Sequence, residues 1–316
     1  MSTASLPVTA PPTHPDTEPT PGQGGPSALG MPASASVLPV LAGVDWSPFG
    51  SVVPVMAGSS GAGASVFAAA TAHALQWAGR CALLIDTAEP SRSGLCSATE
   101  VDGQHATRPV AGVLARYSWM GHAVLARREP DPEPGPGRHN PIDLAGLGSL
   151  PALQPHQWLP LPPLEPLHIT VVDLGGDWAR PHSSGGHPLT HGALAWLRAP
   201  RAGGVPRPVL VVRATRPSLA AAEAALARLD TYIGDGQLVE PARLVVMASW
   251  KKRGWPRGVT GAAGARVGRL LEDAVFLPYD RDLDLGGITA APCPERIRSA
   301  VAELLDEWGL LSARTT

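Results

Sequence analysis

The sequence predicts an α/β domain, a doubly wound and mostly parallel sheet covered by helices on both faces. Three observations carry this. Short apolar runs recur without the alternation of a half-exposed strand: SVVPVMA at 51–57, RCALLID at 80–86, HITVVD at 168–173, VLVVR at 209–213 and RLVVMA at 243–248. Strands buried on both faces read this way. Helix-period segments separate several of these runs, the order of βαβ units. The first run ends in a glycine cluster that opens a helix, G-S-S-G-A-G-A-S at 58–65.

Taken in order, residues 1–45 are Pro, Ala, Thr, Ser and Gly, with nine of the chain's 35 prolines in 1–39. Such a segment buries too little to offset its ordering entropy, so a disordered tail is expected, followed by one domain over 46–316. The strand at 51–57 leads into a helix over 65–78, with Phe67, Ala70, Ala74 and Ala78 on one face. The strand at 80–86 ends in Asp86. Residues 109–128 carry no clear pattern beyond an extra strand at 121–127. Eleven prolines in 130–166 mark an insertion at 129–166 that cannot stay regular for long. A helix over 217–233 opens on Pro217, where the missing N–H costs nothing. Its Leu219, Ala222, Leu226, Leu229 and Ile233 form one stripe. A Gly-interrupted helix over 261–273, a strand at 274–277 and a helix over 295–308 complete the chain. Limited proteolysis is expected to leave a resistant species beginning near residue 46, nicked only within 129–166; protection of the first 40 residues would contradict this.

Charge is nearly balanced, 25 basic residues against 27 acidic, which argues against binding to nucleic acid or anionic membrane by overall charge. No apolar run approaches the roughly 18–20 residues of a membrane span. The N-terminus shows no signal-peptide pattern, so a cytoplasmic location is expected. Cys81, Cys96 and Cys293 read as free thiols. Only two residues are lysine, the adjacent Lys251 and Lys252.

Glycines at 58–65 permit positive φ and let backbone N–H groups approach an anion at a helix N-terminus; a tight turn with no ligand is the plain alternative. The spacing G-x-x-x-x-G-x-S fits a P-loop except that Ala64 stands at the lysine position. Here the chain resembles the ParA/MinD-like P-loop ATPases, whose loop reads K-G-G-x-G-K-T. The matching S-S-G-A-G-A-S at 59–65 lacks both lysines and keeps the hydroxyl of Ser65. L-L-I-D at 83–86 resembles the family's second strand, V-V-D at 171–173 its Walker B strand, the stretch 209–219 the following strand and helix start, and L-P-Y-D at 277–280 the loop beside the base.

The resemblance implies a three-layer P-loop NTPase-like sandwich. It implies ATP held by Gly58, Ser59, Ser60, Gly61, Ala62, Gly63, Ala64, Ser65 and Val66, with Pro278 near the base, and Mg²⁺ at Ser65, Asp86 and Asp173. It also implies action through a protein partner not specified by the sequence, with a homodimer as one assembly, in partitioning, conjugation or secretion-type systems. A loop lysine neutralises charge developing on the phosphates, so its absence predicts weak or absent turnover and no assigned catalytic residue. One alternative is a working ATPase with an unusual site. Another is a non-catalytic Rossmann-type dinucleotide module, with Asp86 on a ribose. A catalytic short-chain dehydrogenase is excluded, because Met247 and Ala248 stand where a Tyr-x-x-x-Lys pair would need tyrosine. A serine hydrolase using Ser60 lacks the last glycine of G-x-S-x-G, and every histidine lies at or before His191.

Three further clusters carry candidate chemistry. His182, His187 and His191 suggest a metal, but a solvated loop is the simpler reading. Asp280, Asp282 and Asp284 are spaced like a calcium loop whose glycine and terminal glutamate are replaced by Leu285 and Ala291. The stretch 250–257 gathers Lys251, Lys252, Arg253 and Arg257 between Trp250 and Trp255. It could contact DNA phosphates, close over a nucleotide, or be a solvated loop.

Overall fold

A computed structural model describes residues 43–132, 150–160, 167–179, 189–247 and 254–312. The expected disordered tail lies almost wholly outside them.

Among the described residues, nine strands form one sheet. In chain order they are β2 (Ser51–Ala57), β3 (Ala82–Asp86), β4 (His105–Val110), β5 (Val113–Met120), β6 (Ala123–Pro130), β7 (Ile169–Gly175), β9 (Val209–Arg213), β10 (Arg243–Met247) and β11 (Val275–Leu277). Their spatial order is β11-β10-β9-β2-β7-β3-β6-β5-β4. All pairings from β11 to β6 are parallel, and β5 runs antiparallel to both neighbours. β1 (Val44–Asp45) and β8 (Pro200–Ala202) form a separate parallel pair.

Side-chain alternation divides the core into two layers. Val53, Val55, Leu84, Val171, Val211 and Val245 face α1 (Ala64–Trp77) and α6 (Glu295–Glu307). Val52, Met56, Leu83, Ile85, Val172, Leu210 and Val246 face α2 (Arg216–Ala227) and a cluster of tryptophans. This is the three-layer sandwich. α1 is buried almost all round because α6 covers the side that the sheet does not. Pro54 sits in the central strand without breaking it. The Val52 carbonyl accepts from Arg207, so the same edge of β2 at Pro54 faces the chain entering β9, and pairing with β9 starts only at Val55.

Four features differ from the sequence reading or go beyond it. The domain begins by Val44, because β1 pairs with β8 and Trp46 is fully buried. The region 109–128 holds a meander, joined by two-residue turns at Gly112 (φ 81°) and Gly121 (φ 64°). The Pro-rich insertion is not wholly outside the core. Pro130 ends β6, and Leu153 and Trp158 are buried, while residues 133–149 and 161–166 lie outside the described set. The helix over 217–233 divides into α2 and α3 (Asp230–Gly234), and the segment 261–273 holds only a short turn and α4 (Ala265–Gly268).

Glu223 explains why α4 forms where three glycines weaken helix. Its carboxylate accepts the amides of Arg266 (3.2 Å) and Val267 (2.9 Å) and the Arg266 guanidinium (2.9 Å), tying α4 to α2. Burial alone would raise the Glu223 carboxyl, but these donors outweigh it and hold it below the ordinary value. A lowered carboxyl contributes stability that is present above its unfolded pKa and lost as pH falls through the folded one. Glu223→Ala is therefore expected to cost about 1–3 kcal/mol at neutral pH and less in acid, measured by denaturant titration at several pH values. An equal cost at pH 7 and below the carboxylate range would contradict this account.

Candidate functional site

The site begins with a geometric demand. β2 ends in the middle of the sheet, beside β7 on one flank and β9 on the other, and the chain must turn there to place α1 on one face. In open α/β sheets such a reversal point opens a crevice at the carboxyl ends of the strands. Gly58 lies so close to α2 and β9 that a Cβ would come within 2.8 Å of both Ala222 and Val212. Gly61 (φ 67°) and Gly63 (φ 94°) take left-handed conformations, and Gly63 caps the start of α1. A Cβ at Gly63 would also meet the Met247 side chain at 2.7 Å. Gly63→Ala is expected to cost roughly 1–3 kcal/mol in backbone strain and to distort the loop, visible as a lower melting temperature. An unchanged melting temperature would show that the loop adapts freely.

The loop floors an open cleft of about 760 Å³. Gly58, Ser59, Ser60, Gly61, Ala62, Gly63, Ala64, Ser65, Val66 and Pro278 all line it, so the expected loop residues and the expected base-side residue share one cleft. Sequence reasoning missed Arg92, Arg213 and Arg228, which line it as well. Arg213 was legible only as the last residue of a strand, and nothing local marks its side chain as facing the loop.

The loop is tied down by hydroxyls. Ser59 Oγ lies 2.8 Å from Ser218 Oγ, and Ser218 Oγ accepts the Arg213 amide at 3.1 Å. Gly58 N–H donates to the Val211 carbonyl at 2.8 Å. Arg213 Nε donates to the Gly61 carbonyl at 2.7 Å.

The residues expected around Mg²⁺ meet only in part. Asp86 and Asp173 are register partners on β3 and β7, and both are buried. Asp86 accepts the Ala88 amide at 3.0 Å and the Ser93 hydroxyl. Asp173 accepts the Gly175 amide at 2.9 Å. Gly94 packs so closely on Ser65 that a Cβ there would fall 2.3 Å from its hydroxyl oxygen. Of the three expected ligands only Ser65 lines the cleft. The Ser93–Gly94 turn contacts two of the three, Ser93 through the Asp86 carboxylate and Gly94 through the Ser65 side chain. Burial pushes the Asp86 carboxyl above its ordinary value, against the opposing Ser93, Ala88, Arg127 and Arg128. No group of three or more His, Cys, Asp or Glu suited to a metal occurs among the described residues.

The remaining clusters are described only in part. His182 and His187 lie outside the described residues, and His191 bonds to Gln154 (2.9 Å) and Thr190 (2.7 Å). Asp280 caps α5 (Arg281–Gly286) by accepting two amides, and it pairs with Arg296 at 2.7 Å. Burial would raise its carboxyl, but Arg296 and the amides hold it below the ordinary value. Lys251, Lys252 and Arg253 lie outside the described residues; Arg257 is exposed, and Trp255 packs edge-on against Phe276 with centroids 5.3 Å apart. None of the three cysteines forms a disulfide. Burial pushes the Cys293 thiol up to about 12, so alkylation of folded protein is expected to modify exposed Cys96 first and Cys293 last, followed by mass spectrometry. Faster loss of Cys293 would contradict its burial.

The mostly parallel sheet with helices on both faces has the fold seen in solved MinD structures. The cell division ATPase MinD of Pyrococcus furiosus is 15% identical, with 82% of this chain and 100% of that one aligned at a TM-score of 0.50. The septum site-determining protein MinD of Pyrococcus horikoshii OT3, complexed with Mg-ADP, is 15% identical over 84% of this chain and 100% of that one, with a TM-score of 0.48. A ParA family ATPase of Chlorobium tepidum TLS is 14% identical over 81% of this chain and 98% of that one, with a TM-score of 0.46. At such identities the likeness concerns the fold. No protein-family model and no curated protein matches the chain.

Proposed function

We propose that this protein is a degenerate ParA/MinD-like nucleotide-binding protein that hydrolyses ATP weakly or not at all and acts through protein contacts in positioning or recruitment. The observation that carries it is the cleft at Gly58–Ser65, built on a P-loop frame with alanine where the phosphate-neutralising lysine would stand. The Gly61 and Gly63 conformations and the hydroxyl ties of Ser59 support a loop shaped to approach an anion. Weak turnover follows from charge: without a lysine, less of the charge developing in the transition state is neutralised. The held state of Asp86 points the same way, because its carboxylate faces Ser93 and Ala88 instead of the cleft.

Calorimetric titration with ATP and ADP, with and without Mg²⁺, tests this directly. Saturable binding with no phosphate release above background is expected. Failure to bind either nucleotide would remove the proposal, and ordinary enzymatic turnover would replace it with a working ATPase. DNA contact through Lys251, Lys252, Arg253 and Arg257 predicts affinity that falls by about 0.9 log units per tenfold rise in salt for each phosphate neutralised, and a flatter slope when both lysines become alanine. DNA binding that kept its slope in that double variant would place the contact elsewhere.

A further inference from the structure

The missing lysine leaves a physical question about what offsets phosphate charge in this cleft. The chain places a guanidinium there. Arg213 is the last residue of β9, on the same face of the sheet as Val209 and Val211, the face that carries α1. Two independent ties hold it against the glycine loop. Its amide bonds to Ser218 Oγ, which lies 2.8 Å from Ser59 Oγ, and its Nε donates to the Gly61 carbonyl at 2.7 Å. Its side chain is 47% exposed and lines the cleft, and its ion pair with Asp284 is long, 3.4 Å. A guanidinium presents several donors in a fixed fork, so one can brace a carbonyl while others take an anion.

We propose that Arg213 supplies the phosphate contact that a lysine at position 64 would otherwise make, so that the loop grips a nucleoside di- or triphosphate through a guanidinium. This rests on the nucleotide-binding reading above. It also accounts for why the loop tolerates Ala64: the cation arrives from β9, across the turn, instead of from the first turn of α1. Arg228, also at the cleft, donates to the Ala179 carbonyl at 2.6 Å.

Calorimetric titration of ADP, ATP and adenosine into the full chain, as wild type, Arg213→Ala, Arg213→Lys and Asp284→Asn, tests the assignment. Arg213→Ala is expected to weaken ADP and ATP by about ten- to a hundred-fold and to move adenosine by no more than about two-fold, because only the phosphates meet the guanidinium. Arg213→Lys should recover part of the loss. Asp284→Asn, which removes the competing carboxylate from an exposed pair, should tighten ADP by about two- to three-fold. Unchanged ADP affinity in Arg213→Ala overturns the assignment and leaves the nucleotide reading standing. Equal weakening of ADP and adenosine also overturns it, since the loss would then come from the cleft as a whole and not from a contact to the phosphates. If wild-type protein binds none of the three, the nucleotide reading fails and this assignment falls with it.

Discussion

Replacing Ala64 with lysine is expected to tighten ATP binding by about ten- to a hundred-fold while raising turnover by less, the span that one charge-assisted hydrogen bond of about 1.5–3 kcal/mol supplies. Ala64 is the first residue of α1, directly after Gly63, and it lines the cleft, so a lysine there would start where the loop delivers its amides. Turnover should lag for two reasons. The second loop position still holds Ser59, bonded to Ser218, and Asp86 remains engaged by Ser93 and Ala88. Binding isotherms and phosphate release measured on the same preparations separate the two effects. If Arg213 serves the phosphates, its removal should matter less in the Ala64→Lys background, a non-additivity that a double-mutant cycle reads directly. Restoration of fast hydrolysis by the single change would show that the rest of the machinery is intact and that degeneracy is confined to one residue.

Trp196→Ala is expected to cost about 3–5 kcal/mol of stability, measured by denaturant titration, because it empties a large, fully packed site. Trp196 has no solvent exposure. It stacks on Trp46 with centroids 5.6 Å apart and meets Phe49 edge-on at 5.2 Å. These rings join the start of the domain to the segment ahead of β8, so the same change should loosen the β1–β8 pair. Deletion through Phe49 should be as damaging, whereas deletion through residue 42 should leave the melting temperature unchanged. A loss of less than about 1 kcal/mol for Trp196→Ala would mean that the aromatic cluster is not part of the cooperative core.

Much of this was readable in the chain itself. The parallel core strands announced themselves as continuous apolar runs, because burial on both faces removes the polar half of the pattern. α1 and α6 were readable from spacing. The meander was not, although its two-residue turns at Ala111-Gly112 and Gly121-His122 carry a usable signal, with glycine supplying the positive φ that such hairpin turns need. It was obscured because β5 is buried on most of its length and so lacks clean alternation. The division of 217–233 into α2 and α3 could not be read from its unbroken stripe, since Leu229 is buried either way.

The class of fold, the glycine loop between β2 and α1, and the lack of a lysine in that loop can be read along the chain, because each depends on residues adjacent in it. What surrounds the loop depends on which distant segments pack against it. Strand order set β9 beside β2 and so brought Arg213 to the Gly61 carbonyl, a contact across 152 residues. The turn after β3 folded back so that Ser93 takes the Asp86 carboxylate and Gly94 covers the Ser65 hydroxyl. Periodicity and propensity are local, reporting which face of an element is buried. Which elements become neighbours follows from the packing of the whole sheet, and the charge balance of the cleft is settled at that level.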